Sequence, residues 1–185
     1  MKDIPIIDAH HHFWDLSLKK NSWLNPNKQI SFRYGDYKSI CKNFLLSDYF
    51  EVSKNQNIVK TIHMETEWDP NDPIGETEWL HKLYEKTGFP NALVAQAWFD
   101  RNDIEKVLKI QSNFDLTRSI RHKPKSSKCP NTKLDNLKGS LNDPVFRKGY
   151  SLLKKYKLHF DLQTPWWHLS DATQLAKDFP DTIII

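Results

Sequence analysis

The chain has 185 residues, a formal net charge of +4 and a hydrophobic share of 38%. This length and composition suit one globular domain of ordinary size, so we expect a single domain over residues 1–185. No apolar run approaches the roughly 18 residues of a membrane-spanning helix, and the N-terminus lacks the basic-then-apolar order of a signal peptide. We therefore expect a cytoplasmic protein without a membrane partner. Cys41 and Cys129 lack the spacing of a disulfide framework or a thiolate zinc site, so we expect reduced thiols.

Apolar runs rich in β-branched residues predict six strands along the chain. They cover residues 4–7, 58–64, 92–99, 119–121, 158–162 and 182–185. Helical patterns separate most of these runs. We predict helices within 37–54, over 76–86 between Asp72-Pro73 and Gly88, after a capping box at Asn102, after Asp143-Pro144 and after a Ser170 cap.

Alternating strands and helices predict parallel strands joined by right-handed crossovers, in either an open doubly wound sheet or a closed barrel. No glycine-rich dinucleotide motif and no P-loop follows the first strand, which removes the commonest reasons for a nucleotide-binding open sheet. Polar residues gather at the strand ends, where a barrel builds its active site. Six strands are too few for closure, so we predict a (β/α)8 TIM barrel truncated to about its first six strands and five helical crossovers.

His10 and His12 end the first apolar run and share one face of an extended strand, with Asp8 two residues behind them. Two imidazoles converging on one point are a common way to bind a divalent metal ion, so both residues are candidate catalytic residues and metal ligands. The alternative is a tag remnant or a solvated cluster, although a tag would be longer. His11 faces the other way and is expected to pack behind the strand.

Three further candidates follow the second and fourth strands. Glu65 lies on the same strand face as His63, as does Glu67, and Glu65 is a candidate for binding a hydroxylated substrate; the alternative is a solvated loop charge. Arg121 could grip a substrate carboxylate or a developing oxyanion, or could form an internal salt bridge, perhaps to Asp161. His122 is a candidate for substrate binding only if the strand end bends towards Arg121.

Gln163, Trp166 and Trp167 follow the fifth strand and are candidates for substrate binding. Adjacent indoles at a barrel mouth could form a stacking wall for a small ring, or one of them could cover the core. The basic segment 118–128 offers a nucleic-acid-binding alternative, but it lacks interleaved aromatic residues. We therefore expect a small-molecule substrate and no nucleic-acid partner; a homo-oligomer is left open.

Five segments together resemble the amidohydrolase-related metal-dependent hydrolases of the TIM-barrel type, lactonase branch, which includes L-fuconolactonase and 2-pyrone-4,6-dicarboxylate lactonase. They are residues 8–14, 63–70, 75–80, 118–122 and 160–168. Each segment alone is a weak signal, but their order and spacing are fairly specific.

The resemblance implies hydrolysis of a C–O or C–N bond by water, with His10 and His12 as metal or substrate ligands and Arg121 and His122 lining the pocket. Zinc or manganese is the implied ion, although some relatives resemble metal-free enzymes. The family's later Asn-His pair and final aspartate are absent from these 185 residues, so the chain alone is expected to be inactive. A lactone is the predicted substrate. An amide hydrolase, a decarboxylase, an inactive truncated product and a basic-patch binding protein are the alternatives.

Overall fold

The computed structural model describes residues 4–30, 35–132 and 137–185, and these form two compact units that divide between Leu93 and Val94. Within the described residues, five strands alternate with helices. The strands are β1 Ile6–His11, β2 Ile58–Met64, β3 Ala92–Gln96, β4 Thr117–Arg121 and β5 His159–Asp161. The helices are α1 Leu46–Val52, α2 Gly75–Thr87, α3 Ile104–Gln111, α4 Pro144–Tyr150, α5 Leu153–Tyr156 and α6 Leu169–Asp178. The single-domain expectation stays a prediction.

The strands pair in chain order, β1-β2-β3-β4-β5. The predicted bounds of β2 are confirmed, and β1 extends beyond its predicted end to His11. The predicted sixth strand over residues 182–185 is not assigned as a strand, but this segment runs parallel to the β5 segment, with a bridge from Ile184 to Phe160 and main-chain hydrogen bonds of 2.9 Å. Residues 31–34, within the predicted first connection, lie outside the described part of the chain.

Two helix ends lie where the sequence predicts them, because a glycine or a capping side chain at that position ends or starts the helix. Gly88 closes α2 with a φ of 77°, and Asp143 caps α4 by accepting the Val145 amide at 2.9 Å. Two predicted caps are wrong. Asp103, not Asn102, precedes α3 and makes no side-chain cap, and His168 rather than Ser170 precedes α6. Helix α2 starts at Gly75, one residue before the predicted start, and Ile74 rather than Asp72-Pro73 precedes it.

The first unit contains the parallel pair β1 and β2. Its register is irregular twice, once between Ile6 and Ile7 and once between Asp8 and His11. Its buried apolar residues include Phe13, Leu24 and Leu80.

The second unit contains the parallel pair β4 and β5 and an interlocked group of aromatic rings. Phe99, Phe146, Tyr150 and Phe160 are each 0–1% exposed, and their ring centroids lie 5.1–6.4 Å apart. Helix α4 reaches this group through Gly149, where a Cβ atom would stand 2.0 Å from the Phe99 carbonyl oxygen. Across the described ranges, no helix combines the length and apolar character needed to cross a membrane.

Candidate functional site

The first unit brings the two predicted imidazole ligands together. The Nε2 atoms of His10 and His12 lie 3.3 Å apart, and the rings meet edge to face with centroids separated by 5.1 Å. His10 is exposed and His12 is half-buried, so the pair is open on one side. The convergence expected from the H-x-H spacing is present.

Hydrogen bonding orients the His12 ring. Its Nδ1 atom lies 2.9 Å from the carbonyl oxygen of Met64, at the end of β2. A carbonyl can only accept, so a hydrogen bond there places the proton on Nδ1 and leaves a lone pair on Nε2 of the neutral ring. This arrangement typically orients a ligand histidine and fixes its tautomer.

Two neighbouring histidines, His63 and His11, contribute to the packing of the first unit. His63 Nε2 accepts the Phe13 amide at 2.9 Å, which occupies the lone pair that a ligand or base would use. His11 is buried with its ring centroid 4.3 Å from Phe13 and 5.0 Å from Tyr49, which confirms that it packs behind the strand. Burial lowers the pKa of His11 to about 4 because the charged ring would lose its hydration.

The distance between the two Nε2 atoms matches the spacing of two neighbouring ligand atoms around a small metal ion. Zinc–nitrogen bonds of about 2.0–2.1 Å at tetrahedral angles place two ligand nitrogens about 3.3–3.4 Å apart. His10 and His12 meet that requirement at 3.3 Å. Within residues 4–30, 35–132 and 137–185, no group of three or more histidine, cysteine or acidic side chains is arranged around a common ion position. Among the described residues, His10 and His12 thus give two nitrogens at a suitable spacing, and their assignment as metal ligands stays a prediction.

The acidic candidates after β2 have different surroundings. Glu65 is 4% exposed, and its Oε2 atom accepts the amide of Glu67 at 2.7 Å. Glu67 is exposed and adopts a left-handed φ of 54°, a rare conformation for a residue with a side chain. The alternative of a solvated loop charge therefore fits the exposed Glu67 but not the buried Glu65.

The structure also shows a buried carboxylate that the sequence pattern missed. Glu76, in the first turn of α2, accepts both the amide and the hydroxyl of Thr66, at 3.0 and 2.5 Å. Asn21 donates to the same threonine, and Trp23 donates to its carbonyl oxygen at 2.8 Å. These bonds fix the main chain between Glu65 and Glu67. The sequence indicated only that Glu76 lies in the first turn of a helix.

In the second unit, Arg121 and Asp161 are register partners on the parallel strands β4 and β5, and both are buried. Register partners on neighbouring strands carry their side chains on the same face of the sheet. The buried Asp161 carboxylate therefore lies on the same sheet face as the Arg121 guanidinium. This is the arrangement that an internal salt bridge between the two would require.

His122 is packed into the aromatic group. It is 9% exposed, its ring centroid lies 5.0 Å from that of Phe146, and its Nδ1 atom accepts the Phe99 amide at 3.0 Å. Its assignment to substrate binding stays a prediction, and what the structure shows is a role in anchoring the main chain.

The candidates after β5 are unequally exposed. Gln163 and Trp167 are half-buried, whereas Trp166 is 68% exposed. The Trp167 indole donates to the hydroxyl and the carbonyl of Ser127, at 3.1 and 3.2 Å. Trp166 is therefore the freer of the two indoles to meet a ligand.

A second hydrogen-bonded group lies behind Trp167. His168 Nε2 is 3.1 Å from the Ser127 amide nitrogen and 3.2 Å from its hydroxyl, while His168 Nδ1 is 2.8 Å from a carboxylate oxygen of Asp171. The order of groups is that of a serine nucleophile, its base and an orienting acid. Since the main-chain amide already donates to Nε2, we interpret this group as an anchor for the loop after β4. Ser127 and Asp171 were missed because their partners are revealed only by the fold.

The predicted site residues are thus divided between the units, with His10, His12 and Glu65 in the first and Arg121, His122, Gln163, Trp166 and Trp167 in the second. Their assignment to catalysis and substrate binding stays a prediction.

No protein-family model matches the chain. An uncharacterised protein of Sinorhizobium fredii is 37% identical over 191 residues; the match covers 100% of this chain and 62% of the relative. The chain therefore spans less than two thirds of the length of that relative.

Several solved structures, amidohydrolases among them, match the fold. An amidohydrolase from Burkholderia multivorans superposes with a TM-score of 0.69 at 16% identity, over 96% of this chain and 55% of the other, and a second crystal form of it contains bound zinc. A probable 2-pyrone-4,6-dicarboxylic acid hydrolase from Acinetobacter baumannii matches with a TM-score of 0.60 at 10% identity, over 96% and 56% of the two chains. A 2,6-dihydroxybenzoate decarboxylase from Rhizobium matches with a TM-score of 0.58 at 13% identity, over 100% and 65%.

These similarities confirm the predicted α/β fold class and, at the level of fold, the resemblance to the amidohydrolases. Over the part that it spans, the chain has the amidohydrolase fold.

Proposed function

We propose that the protein is a hydrolase of the amidohydrolase type that opens a small cyclic ester, either a sugar-derived or a carboxylated lactone. One observation carries the proposal: the Nε2 atoms of His10 and His12 converge to 3.3 Å while the Met64 carbonyl holds the far side of the His12 ring. A pair of imidazoles that is open on one side and has one tautomer fixed is suited to acting on a carbonyl oxygen. The pyrone dicarboxylate hydrolase among the structural matches supports a lactone substrate.

The side chains would act on the substrate carbonyl as follows. With His12 Nε2 as an acceptor, His10 Nε2 carries the hydrogen that bridges the pair, and it can turn that hydrogen to the ester carbonyl oxygen. In the alternative tautomer, with its hydrogen on Nδ1, His10 would join His12 in holding a divalent ion through the Nε2 atoms, and that ion would supply Lewis-acid polarisation of the carbonyl and would lower the pKa of a bound water. The sequence also predicts that Arg121 binds a substrate carboxylate bidentately and that Trp166 and Trp167 stack against a ring, and these roles stay predictions.

A decarboxylase is the second candidate, because a 2,6-dihydroxybenzoate decarboxylase has the same fold. The two reactions leave different products. Lactone hydrolysis consumes one water and releases one proton as the new carboxyl group ionises, whereas decarboxylation releases carbon dioxide and replaces a carboxyl group by hydrogen. An assay for both products therefore separates the candidates.

The test is a panel of five- and six-membered lactones, including 2-pyrone-4,6-dicarboxylate, with and without a chelator. Proton release and carbon dioxide release are measured in parallel, with 2,6-dihydroxybenzoate as the decarboxylase substrate. The panel is run on the 185-residue chain and on the Sinorhizobium fredii relative, since the match covers 62% of that protein. Proton release from a lactone supports the proposal, and carbon dioxide release alone supports the second candidate.

Three variants connect the activity to the imidazole pair. His10→Ala and His12→Ala should each reduce kcat/KM by a factor on the order of 10²–10⁴, the range for a positioned group that moves a proton or polarises a carbonyl. The equivalent histidines of the relative are replaced in parallel. His81→Ala replaces a histidine of α2 that is outside the imidazole pair and is the matched control. Full lactone turnover in both variants of the pair would refute the proposal.

A further inference from the structure

The main chain of β1 is irregular immediately before the imidazole pair. Asp8 pairs with Thr61 and His11 pairs with His63, so β1 advances three residues while β2 advances two. The extra residue forms a bulge at the position of Ala9 and His10. A bulge interrupts the ladder hydrogen bonds and redirects the side chains beside it, and such bulges often lie beside active sites.

The Asp8 carboxylate bonds the amide that belongs to this bulge. Its Oδ1 atom accepts the main-chain amide of His10 at 3.1 Å. The sequence pattern placed Asp8 behind His10 and His12 on one strand face, but its carboxylate bonds the main chain of His10. The bond links Asp8 directly to the residue that presents the first imidazole.

Tyr49 holds the other oxygen of the same carboxylate. Its hydroxyl donates to Asp8 Oδ2 at 2.7 Å, and its ring is 5% exposed between His11 and Phe13. Burial and the neighbouring Asp8 carboxylate raise the pKa of Tyr49 far above its usual value, so the phenol keeps the proton that it donates. A rigid, buried donor therefore fixes the rotation of the Asp8 side chain.

We infer that Asp8 and Tyr49 are positioning residues: the Tyr49–Asp8–His10 main-chain relay sets the bulge of β1 so that His10 Nε2 meets His12 Nε2. The inference rests on the proposed function, in which that pair acts on the substrate. In this scheme Asp8 acts through the His10 main chain, to which its carboxylate is bonded, while Tyr49 holds its other oxygen.

The primary test is amide hydrogen exchange of ¹⁵N-labelled protein, read at His10 and normalised to the Thr61 amide of β2. Loss of one hydrogen bond of about 1.4 kcal/mol corresponds to about tenfold. We expect Asp8→Ala to accelerate His10 exchange about tenfold and Tyr49→Phe about threefold. Asp8→Asn keeps an acceptor oxygen and should restore most of the protection. Tyr150→Phe removes a buried hydroxyl in the other unit and serves as the matched control.

A Co²⁺ titration, followed by visible absorption, gives a second readout. Tyr49→Phe should weaken Co²⁺ binding about tenfold, whereas Tyr150→Phe should leave it unchanged. If the unaltered chain does not bind Co²⁺, metal assistance in the proposed function fails, while the exchange measurement still tests the relay. If Asp8→Ala does not fold, Tyr49→Phe carries the test because its ring packing is preserved.

Two outcomes would overturn the inference. One is unchanged His10 exchange in Tyr49→Phe. The other is an equal acceleration at His10 and Thr61, which would show that the substitution only destabilises the unit.

Discussion

Replacing Gly149 by alanine tests the aromatic packing of the second unit. The new Cβ would stand 2.0 Å from the Phe99 carbonyl oxygen and 2.7 Å from its carbon, whereas ordinary contacts begin at 3.4 Å. Helix α4 must therefore shift by the difference, about 1.4 Å, against backbone atoms that cannot rotate aside. We take the upper end of the usual cost of overpacking, about 3 kcal/mol.

Alanine is also the better helix former, by about 1 kcal/mol. The net loss in the free energy of unfolding is then about 2 kcal/mol, and Tm should fall by about 4–8 °C for a chain of this size. Urea unfolding measures the loss as a lower midpoint at unchanged slope. Lys148→Ala, on the exposed side of the same helix, is the control and should change stability by less than about 0.5 kcal/mol. A Gly149→Ala variant as stable as the unaltered chain would refute the close approach of α4 to Phe99.

Three further predictions concern single side chains. The folded chain holds His11 at a pKa of about 4 against 6.5 in the unfolded chain, so the stability contributed by this neutral ring is complete above pH 6.5 and is lost as the pH falls towards 4. Between pH 7.5 and 5 the loss in the free energy of unfolding is about 2 kcal/mol. In urea unfolding curves measured with a chelator, the His11→Leu variant should not show this loss. Equal pH dependence in both proteins would contradict the burial of a neutral ring. Asp143 accepts the amides of Gly139 and Val145 at 2.5 and 2.9 Å, and these bonds lower its pKa. Asp143→Ala should cost about 1–2 kcal/mol at pH 7 and less as the pH falls towards 3.5, because the cap is strongest while the carboxylate is ionised; a pH-independent loss would argue against it. Ser127→Ala removes one acceptor of the Trp167 indole and should cost about 1 kcal/mol while shifting the Trp167 indole N–H resonance of ¹⁵N-labelled protein, which a Trp167→Phe variant assigns. An unshifted resonance would show that the hydroxyl does not position the indole.

The sequence predicted those parts of the fold that depend on neighbouring residues. The bounds of β2, the Gly88 stop and the Asp143 cap each rest on side chains or glycines within one element. The convergence of His10 and His12 was predicted from their spacing, because a single residue separates them in the chain.

Features that depend on the register between strands could not be read from the sequence. The bulge in β1 is defined by its pairing with β2, some 50 residues away, and no pattern of apolar residues in either strand indicates it. The sequence accordingly placed Asp8 behind His10 and His12 on one strand face but did not indicate that its carboxylate bonds the His10 main chain and the Tyr49 hydroxyl. The partners of Thr66, Ser127 and His168 were missed for the same reason, since 10 to 45 residues separate the bonded groups.

The histidines that accept main-chain amides have a consequence for chemical labelling. His63, His122 and His168 each bind the amide of a residue in another segment, namely Phe13, Phe99 and Ser127, so one ring nitrogen of each is occupied and buried. An acylating reagent such as diethyl pyrocarbonate attacks an accessible ring nitrogen with a free electron pair. These three rings are therefore shielded in the folded protein while His10 is open to the reagent, so the order in which histidines are carbethoxylated reads out the fold and the accessibility of the imidazole pair in a single mass-spectrometry experiment.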